Sequence, residues 1–187
     1  MGETRTSIRL CAVIAAGRSY SHNGVLIASR LGKAILFDES DARPMGRTAA
    51  GVRGISLAEG DEVVGMEIID PGAKILTLTE NGYGKRTRLE DYRKQRRGGQ
   101  GIINIKTTKR NGNVVAMMTV DDLDDIVVVA TDGIVMRTSL KDIRTIGRNT
   151  QGVRIMKLRE GAKVSAVARA VAEEQEDQLT EEDGDDA

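Results

Sequence analysis

Tryptophan is absent from this 187-residue chain, and phenylalanine, histidine and cysteine each occur once. Phe37, Tyr20, Tyr83 and Tyr92 are its whole aromatic complement. Four scattered rings cannot make the stacking platform on which single-stranded nucleic acids bind, so the core must be built from Val, Ile, Leu, Ala and Met. The lone Cys11 excludes an internal disulfide or a multi-cysteine metal centre, and it suits a reducing compartment. His22 alone cannot supply the three or four ligands a metal site takes; both residues read as structural. No apolar run approaches the roughly 18 residues needed to span a bilayer, and Met1 to Arg9 is not followed by a signal-peptide core and cleavage site. A soluble, cytoplasmic protein with no membrane partner is expected. There is no phosphate-binding P-loop, and nothing assigns Tyr20, Tyr83 or Tyr92 a nucleophilic role, so neither catalysis nor a cofactor is expected of this chain.

What is present is charge, unevenly divided. The formal net charge is zero, yet nine of the 28 acidic residues lie within 173–187, where there is no Lys or Arg. The preceding body therefore carries 28 basic against 19 acidic residues, a net charge of +9. Residues 172–187 lack apolar periodicity and are expected to be a disordered acidic tail. Basic density peaks between Lys85 and Arg110, with ten cations against Glu90 and Asp91. At its centre stands Gln95-Arg96-Arg97-Gly98-Gly99-Gln100-Gly101. Glycine removes the Cβ and permits positive φ, so backbone N–H groups could join the arginines in gripping phosphate. The plainer reading is a solvated basic loop whose glycines only make a turn.

A unit of about fifty residues occurs three times, over 25–70, 75–120 and 126–171. Each opens with an apolar strand that turns at Gly32, Gly82 or Gly133; Asn81-Gly82 and Asp132-Gly133 predict type I′ hairpins. A second strand follows (33–37, 83–87, 134–138), then a polar connection ending in a glycine-centred element. These elements run from Arg47 to Gly54, from Gln95 to Gly101 and from Arg148 to Arg154. Alternating strands are expected at 55–57, 103–105 and 155–158, and last strands at 63–69, 114–120 and 164–171. Residues 89–94 and 139–143 read as single helical turns, the second capped by Ser139. Four short strands per unit in tandem predict an all-β, propeller-like fold; a β-sandwich is the alternative, disfavoured by the regular period. Residues 1–24 read as an irregular segment holding one strand, 8–14, left from a preceding unit.

The phrase Gly82-Tyr-Gly-Lys-Arg-Thr-Arg-Leu-Glu-Asp-Tyr-Arg93, the Gln95-to-Gly101 box, the tandem hairpin-led units and the acidic end together resemble the C-terminal domain of gyrase A, one of the two proteins of DNA gyrase. The resemblance covers about 25–171. It implies a β-pinwheel, a propeller-like ring whose blades exchange strands, and it implies double-stranded DNA wrapped on a basic rim. The DNA-binding residues it implies are Gln95, Arg96, Arg97, Gly98, Gly99, Gln100 and Gly101 with Lys85, Arg86 and Arg93. Arg47, Arg53, Arg148 and Arg154 are their equivalents on the flanking units. The implied partners are the remainder of gyrase A and gyrase B, in an ATP-dependent type II topoisomerase of the bacterial cytoplasm and nucleoid. Two features depart from the family pattern. Gln100 is neutral where the family's box has Arg or Lys, and the box falls in the second complete unit, which places the chain among the last blades of a longer domain. A topoisomerase IV domain that positions DNA for decatenation is a second reading, and a protein-interaction propeller a third. Asp121-Asp-Leu-Asp-Asp125 could be a cation site or merely turn aspartates. The acidic tail could compete with DNA for the basic rim or only aid solubility.

Overall fold

The computed structural model describes residues 24–42, 45, 48–69 and 72–170. The strand expected over 8–14, Cys11, Tyr20, His22, Arg47 and the acidic tail lie outside the described residues.

Eleven strands and three one-turn 3-10 helices make up the described fold: β1 (Gly24–Ser29), β2 (Lys33–Asp38), β3 (Val63–Ile69), β4 (Lys74–Thr79), β5 (Tyr83–Arg88), β6 (Ile102–Ile103), β7 (Val114–Val120), β8 (Asp125–Ala130), β9 (Val135–Ser139), β10 (Val153–Arg154) and β11 (Val164–Ala170). The 3-10 turns, Glu39–Asp41, Leu89–Asp91 and Leu140–Asp142, each follow the second strand of a hairpin. Ser139 caps the third by accepting from the Lys141 N–H, as its hydroxyl predicts.

All three hairpins are built alike, though not as two-residue type I′ turns. The loop has three residues, the third hairpin being closed by the Ala130 N–H on Ile134 O, and Gly32, Gly82 and Gly133 donate back to Ser29, Thr79 and Ala130 at 3.0–3.1 Å. Each of these glycines holds positive φ, +78° at Gly82. A three-residue loop closed by a left-handed glycine matches the right-handed twist of its strands. The register between the first and last strands of the unit shifts by a bulge next to the loop, at Ala28/Ser29 in the first sheet and Leu78/Thr79 in the second.

The sheets are not the contiguous repeats. Their strand orders are β3-β1-β2-β6, β10-β5-β4-β7 and β11-β8-β9. Thus β6, from the second unit, completes the first sheet, with Lys33 opposite Ile103. In the same way β10, from the third unit, completes the second, with Tyr83 opposite Arg154. This is the strand exchange of a pinwheel. The donated strands are two residues long and begin earlier than the alternating pattern predicts. Residues 55–57 form no strand.

Odd and even residues of each strand face different neighbours, which builds the core in layers. Val25, Ile27, Ile35, Phe37 and Ile55 pack on one face of the first sheet. Leu26, Ala28 and Leu36 on its other face meet Ile75 and Tyr92 of the second. Leu76 and Leu78 meet Ile126, Val128 and Leu140 of the third. Full burial of such side chains contributes about 1.5–3 kcal/mol each. The strands β3, β7 and β11 lie at one edge of their sheets, and β7 touches both of the others. The donated strands β6 and β10 lie at the opposite, outer edge.

Candidate nucleic-acid interface

The Gln95–Gly101 box runs into β6 along the outer edge of the first sheet, docked onto the first unit. Gln95 donates its N–H to Leu36 O at 2.8 Å and Gly98 to Gly54 O at 2.7 Å. Ser56 answers with its N–H to Gly99 O and its hydroxyl to Gly98 O. Gly101, at φ +70°, would place a Cβ 2.5 Å from Ala34 O. The third unit repeats the joint, with Lys106 N–H on Thr150 O and a Gly152 Cβ position 2.7 Å from Gly84 O. Gly101 therefore serves close packing between units, whereas Gly98 has room for a Cβ and is required by its φ of +81°. The Gly99 N–H turns back toward Arg96 O in the tight turn at Arg97 and Gly98, whereas the N–H group of Gln100 is engaged by no other described residue.

Arg97 and Arg148 occupy the same place in successive units and make the same contacts. Arg97 donates from Nε to Asp41 O (3.1 Å) and from Nη1 to Arg53 O (2.6 Å). Arg148 donates from Nε to Asp91 O (2.5 Å) and from Nη1 to Ile103 O (2.7 Å). Each staples its loop to the 3-10 turn and outer edge of the preceding unit, and the Nη2 of each bonds to no other described residue. Arg53, Arg93, Arg96 and Gln100 are exposed, and the guanidiniums of Arg53, Arg93 and Arg96 form no ion pair with a described carboxylate.

Lys85 and Arg86 correct the expectation that they face phosphate. Lys85 is 0% exposed; its ammonium donates to Gly147 O (2.7 Å) and Arg148 O (2.6 Å). Burial, reinforced by the nearby Arg148 charge, pulls its pKa down to about 7, with Asp91 opposing. Arg86 is 7% exposed, donates to Ile143 O at 2.7 Å and pairs with Asp122. Because β5 is covered on both faces by neighbouring sheets, neither side chain reaches the rim. The repeat already contained the clue for Lys85: its place is taken by apolar Ile35 in β2 and Met136 in β9.

A cluster missed in the sequence forms where β10 crosses to β5. Arg154 donates from Nη2 (2.8 Å) and Nε (3.3 Å) to the Tyr83 hydroxyl, which also accepts from Arg110 Nε at 3.3 Å. Both guanidiniums lie over the ring, 5.0 and 5.4 Å from its centroid. Arg110 and then Arg154 hold the phenol below its usual pKa by hydrogen bonding to the ionised form. Arg154 was expected at the rim; Arg110 and Tyr83 became visible only through the strand exchange.

The aspartates of 121–125 are spent on cations. Lys74 reaches Asp122 at 2.5 Å, Arg169 bridges Asp121 and Asp124, and Arg137 pairs with Asp125. Hydrogen bonding from Lys74 holds the Asp122 carboxyl below its usual range. No group of metal-ligating side chains occurs among the described residues. Nor is any described helix long and apolar enough to cross a membrane.

This arrangement of three strand-exchanging sheets matches a family model described as DNA gyrase C-terminal domain, beta-propeller, over residues 25–70, 73–121 and 124–170. The chain belongs to that family. It is 46% identical over 164 residues to the gyrase A protein of Staphylococcus epidermidis, a match that covers 87% of this chain but 18% of the relative. Hence the chain spans less than a fifth of the length of the curated relatives it matches. Among solved structures, a DNA gyrase A C-terminal domain superposes with a TM-score of 0.75 at 27% identity, covering 82% of this chain and 52% of that one. The C-terminal domain of a DNA topoisomerase IV superposes with a TM-score of 0.76, also at 27% identity, covering 82% and 48%. The fold expected from the gyrase resemblance is thus the observed one.

Proposed function

We propose that this chain grips duplex DNA along the outer edges of its blades and holds it in a bend, as the terminal part of a gyrase A protein. In that role it works with the remainder of gyrase A and with gyrase B in the bacterial cytoplasm, at the nucleoid, during ATP-dependent negative supercoiling. Strand cleavage and ATP hydrolysis belong to other parts of the enzyme, and this chain needs no cofactor. The observation that carries the reading is the box loop itself: exposed Arg96 beside exposed Gln100, whose N–H group no other described residue engages, at the outer edge of a sheet. Arg53 and Arg93 add exposed charge on either side of it, and Arg97, Arg148 and Arg154 have guanidinium donors left over. Bending a short duplex costs on the order of several kcal/mol, which phosphate neutralisation and counterion release must offset. Contacts of this kind go to the backbone and carry no base sequence.

A topological assay tests the proposal. A nicked circular plasmid is relaxed with the chain bound, sealed with ligase, and its linking number read. A shift that grows with protein is expected from chiral wrapping. Salt-sensitive binding without a shift would favour the second reading, a topoisomerase IV domain that positions DNA, which the equally close topoisomerase IV superposition supports. Absence of salt-sensitive binding would sink both.

A further inference from the structure

The Tyr83 cluster holds two positive charges against one neutral phenol. Neither Arg110 nor Arg154 forms an ion pair with a described carboxylate, and both residues are exposed. Like charges brought together in this way repel unless an anion joins them. The turn that carries Arg110 is firmly placed. Asn81 Nδ2 donates to the carbonyls of Lys109 and Arg110, and Asn111 Nδ2 donates to Lys106 O and Gln151 O. Lys106 and Lys109, both exposed, stand in the same turn.

Comparison between the units shows that the cluster is not part of the repeated scaffold. The residue after each first strand donates to the residue before each last strand: Arg30 to Glu62 O, Glu80 to Asn113 O, Thr131 to Lys163 O, each at 2.8 Å. Counting back three residues from these acceptors aligns Arg110 with Glu59 and Glu160. Tyr83 stands where the first unit has Lys33, and Arg154 where the second has Ile103. Only the middle sheet reverses the sign of that turn and supplies a ring to hold the guanidiniums in place.

We propose that Arg110 and Arg154, positioned by Tyr83, form a second phosphate site on this chain, which takes one phosphodiester group of the DNA backbone at the outer edge of the middle sheet. The Tyr83 hydroxyl and ring fix one side of each guanidinium and leave other N–H donors of both forks for the two non-bridging oxygens. The site lies one blade along from the box, at the junction of β10 with the third unit's glycine element, so a duplex gripped at Arg96 is gripped again further along the rim. This inference rests on the DNA-binding reading above.

The test is a titration of the 187-residue chain against a linear duplex of mixed sequence at several salt concentrations. Replacing both arginines, Arg110→Gln with Arg154→Gln, is expected to weaken binding equally across sequences and to reduce the slope of log K against log salt by about one. Arg110→Lys with Arg154→Lys, which keeps the charge, is expected to retain the slope. Should the double Gln variant melt early, Arg110→Gln alone, an exposed turn change, is expected to lower the slope on a folded protein. An unchanged slope in the Gln variants, while Arg96→Gln lowers it, would make the cluster a structural staple and overturn the site without touching the DNA-binding reading. A parent chain that shows no salt-dependent binding would overturn both.

Discussion

The ammonium of Lys85 lies 2.6 Å from the carbonyl oxygen of Arg148, which belongs to the next repeat. A basic residue expected on the DNA-facing rim instead ties two units together from the inside. Its folded pKa of about 7 is below the ordinary lysine value of 10.5. Between those two values the unfolded chain binds a proton that the folded chain does not, so stability rises with pH across that window and levels off above it. Below about pH 7 both states are protonated and the slope from this group vanishes. Thermal melts of the parent chain and of Lys85→Met, which copies Met136, are expected to diverge in pH dependence. A parent whose melting temperature rises no more from pH 7 to 10 than that of Lys85→Met would remove this assignment.

Arg97 and Arg148 make a matched pair of staples, so their removal should cost similar amounts. Each guanidinium donates two hydrogen bonds to carbonyls of the preceding unit. A hydrogen bond to a charged group contributes about 1.5–3 kcal/mol when shielded, and partial exposure reduces this. Arg148→Ala is expected to lower unfolding free energy by about 1–2 kcal/mol in a denaturant melt, and Arg97→Ala by a comparable amount. Loss of DNA affinity at unchanged stability would show instead that these side chains serve phosphate alone.

How much of this was legible beforehand varies with the scale of the feature. The hairpins, three tandem units and outer loop follow from local periodicity and turn glycines, because those depend on residues close in sequence. Burial of Lys85 and Arg86 does not, since a strand's alternating pattern presumes one wet face and β5 has none. Likewise Gly101 reads as a backbone opening for a ligand until Ala34, 67 positions earlier, is seen against it. The Arg154–Tyr83 contact exists only because β10 crosses into another unit's sheet. Strand exchange is what the sequence conceals: it changes the neighbour of every outer residue while leaving each repeat's internal pattern intact.

The two joint glycines can be separated from ordinary turn glycines by substitution. Gly101 and Gly152 combine positive φ with a carbonyl oxygen at 2.5 and 2.7 Å from the would-be Cβ. Gly133 has positive φ, +84°, but open space around it. Alanine at Gly133 therefore meets only the left-handed penalty of about 1–2 kcal/mol, whereas at Gly101 it must also push the β2 backbone away. Gly101→Ala is expected to lower the melting temperature clearly more than Gly133→Ala. Equal losses would mean that the donated strand can shift to make room.

Arg96 should separate binding from folding, because its guanidinium supports nothing else among the described residues. It is exposed, and an exposed substitution away from caps and packing contacts changes stability by about 0.5 kcal/mol or less. Arg96→Gln is expected to leave the melting temperature in place, weaken duplex binding and reduce the salt slope by about one. Arg53→Gln and Arg93→Gln, on either side of the loop, are expected to act in the same direction, and the losses should add if each meets a different phosphate. Gln100→Arg offers the converse: a cation restored at the sixth box position, on an exposed residue, should steepen the slope and tighten binding at low salt. If Gln100→Arg and Arg96→Gln both leave the slope where it was, duplex DNA does not run past this loop, and the outer edge near Arg154 becomes the main contact.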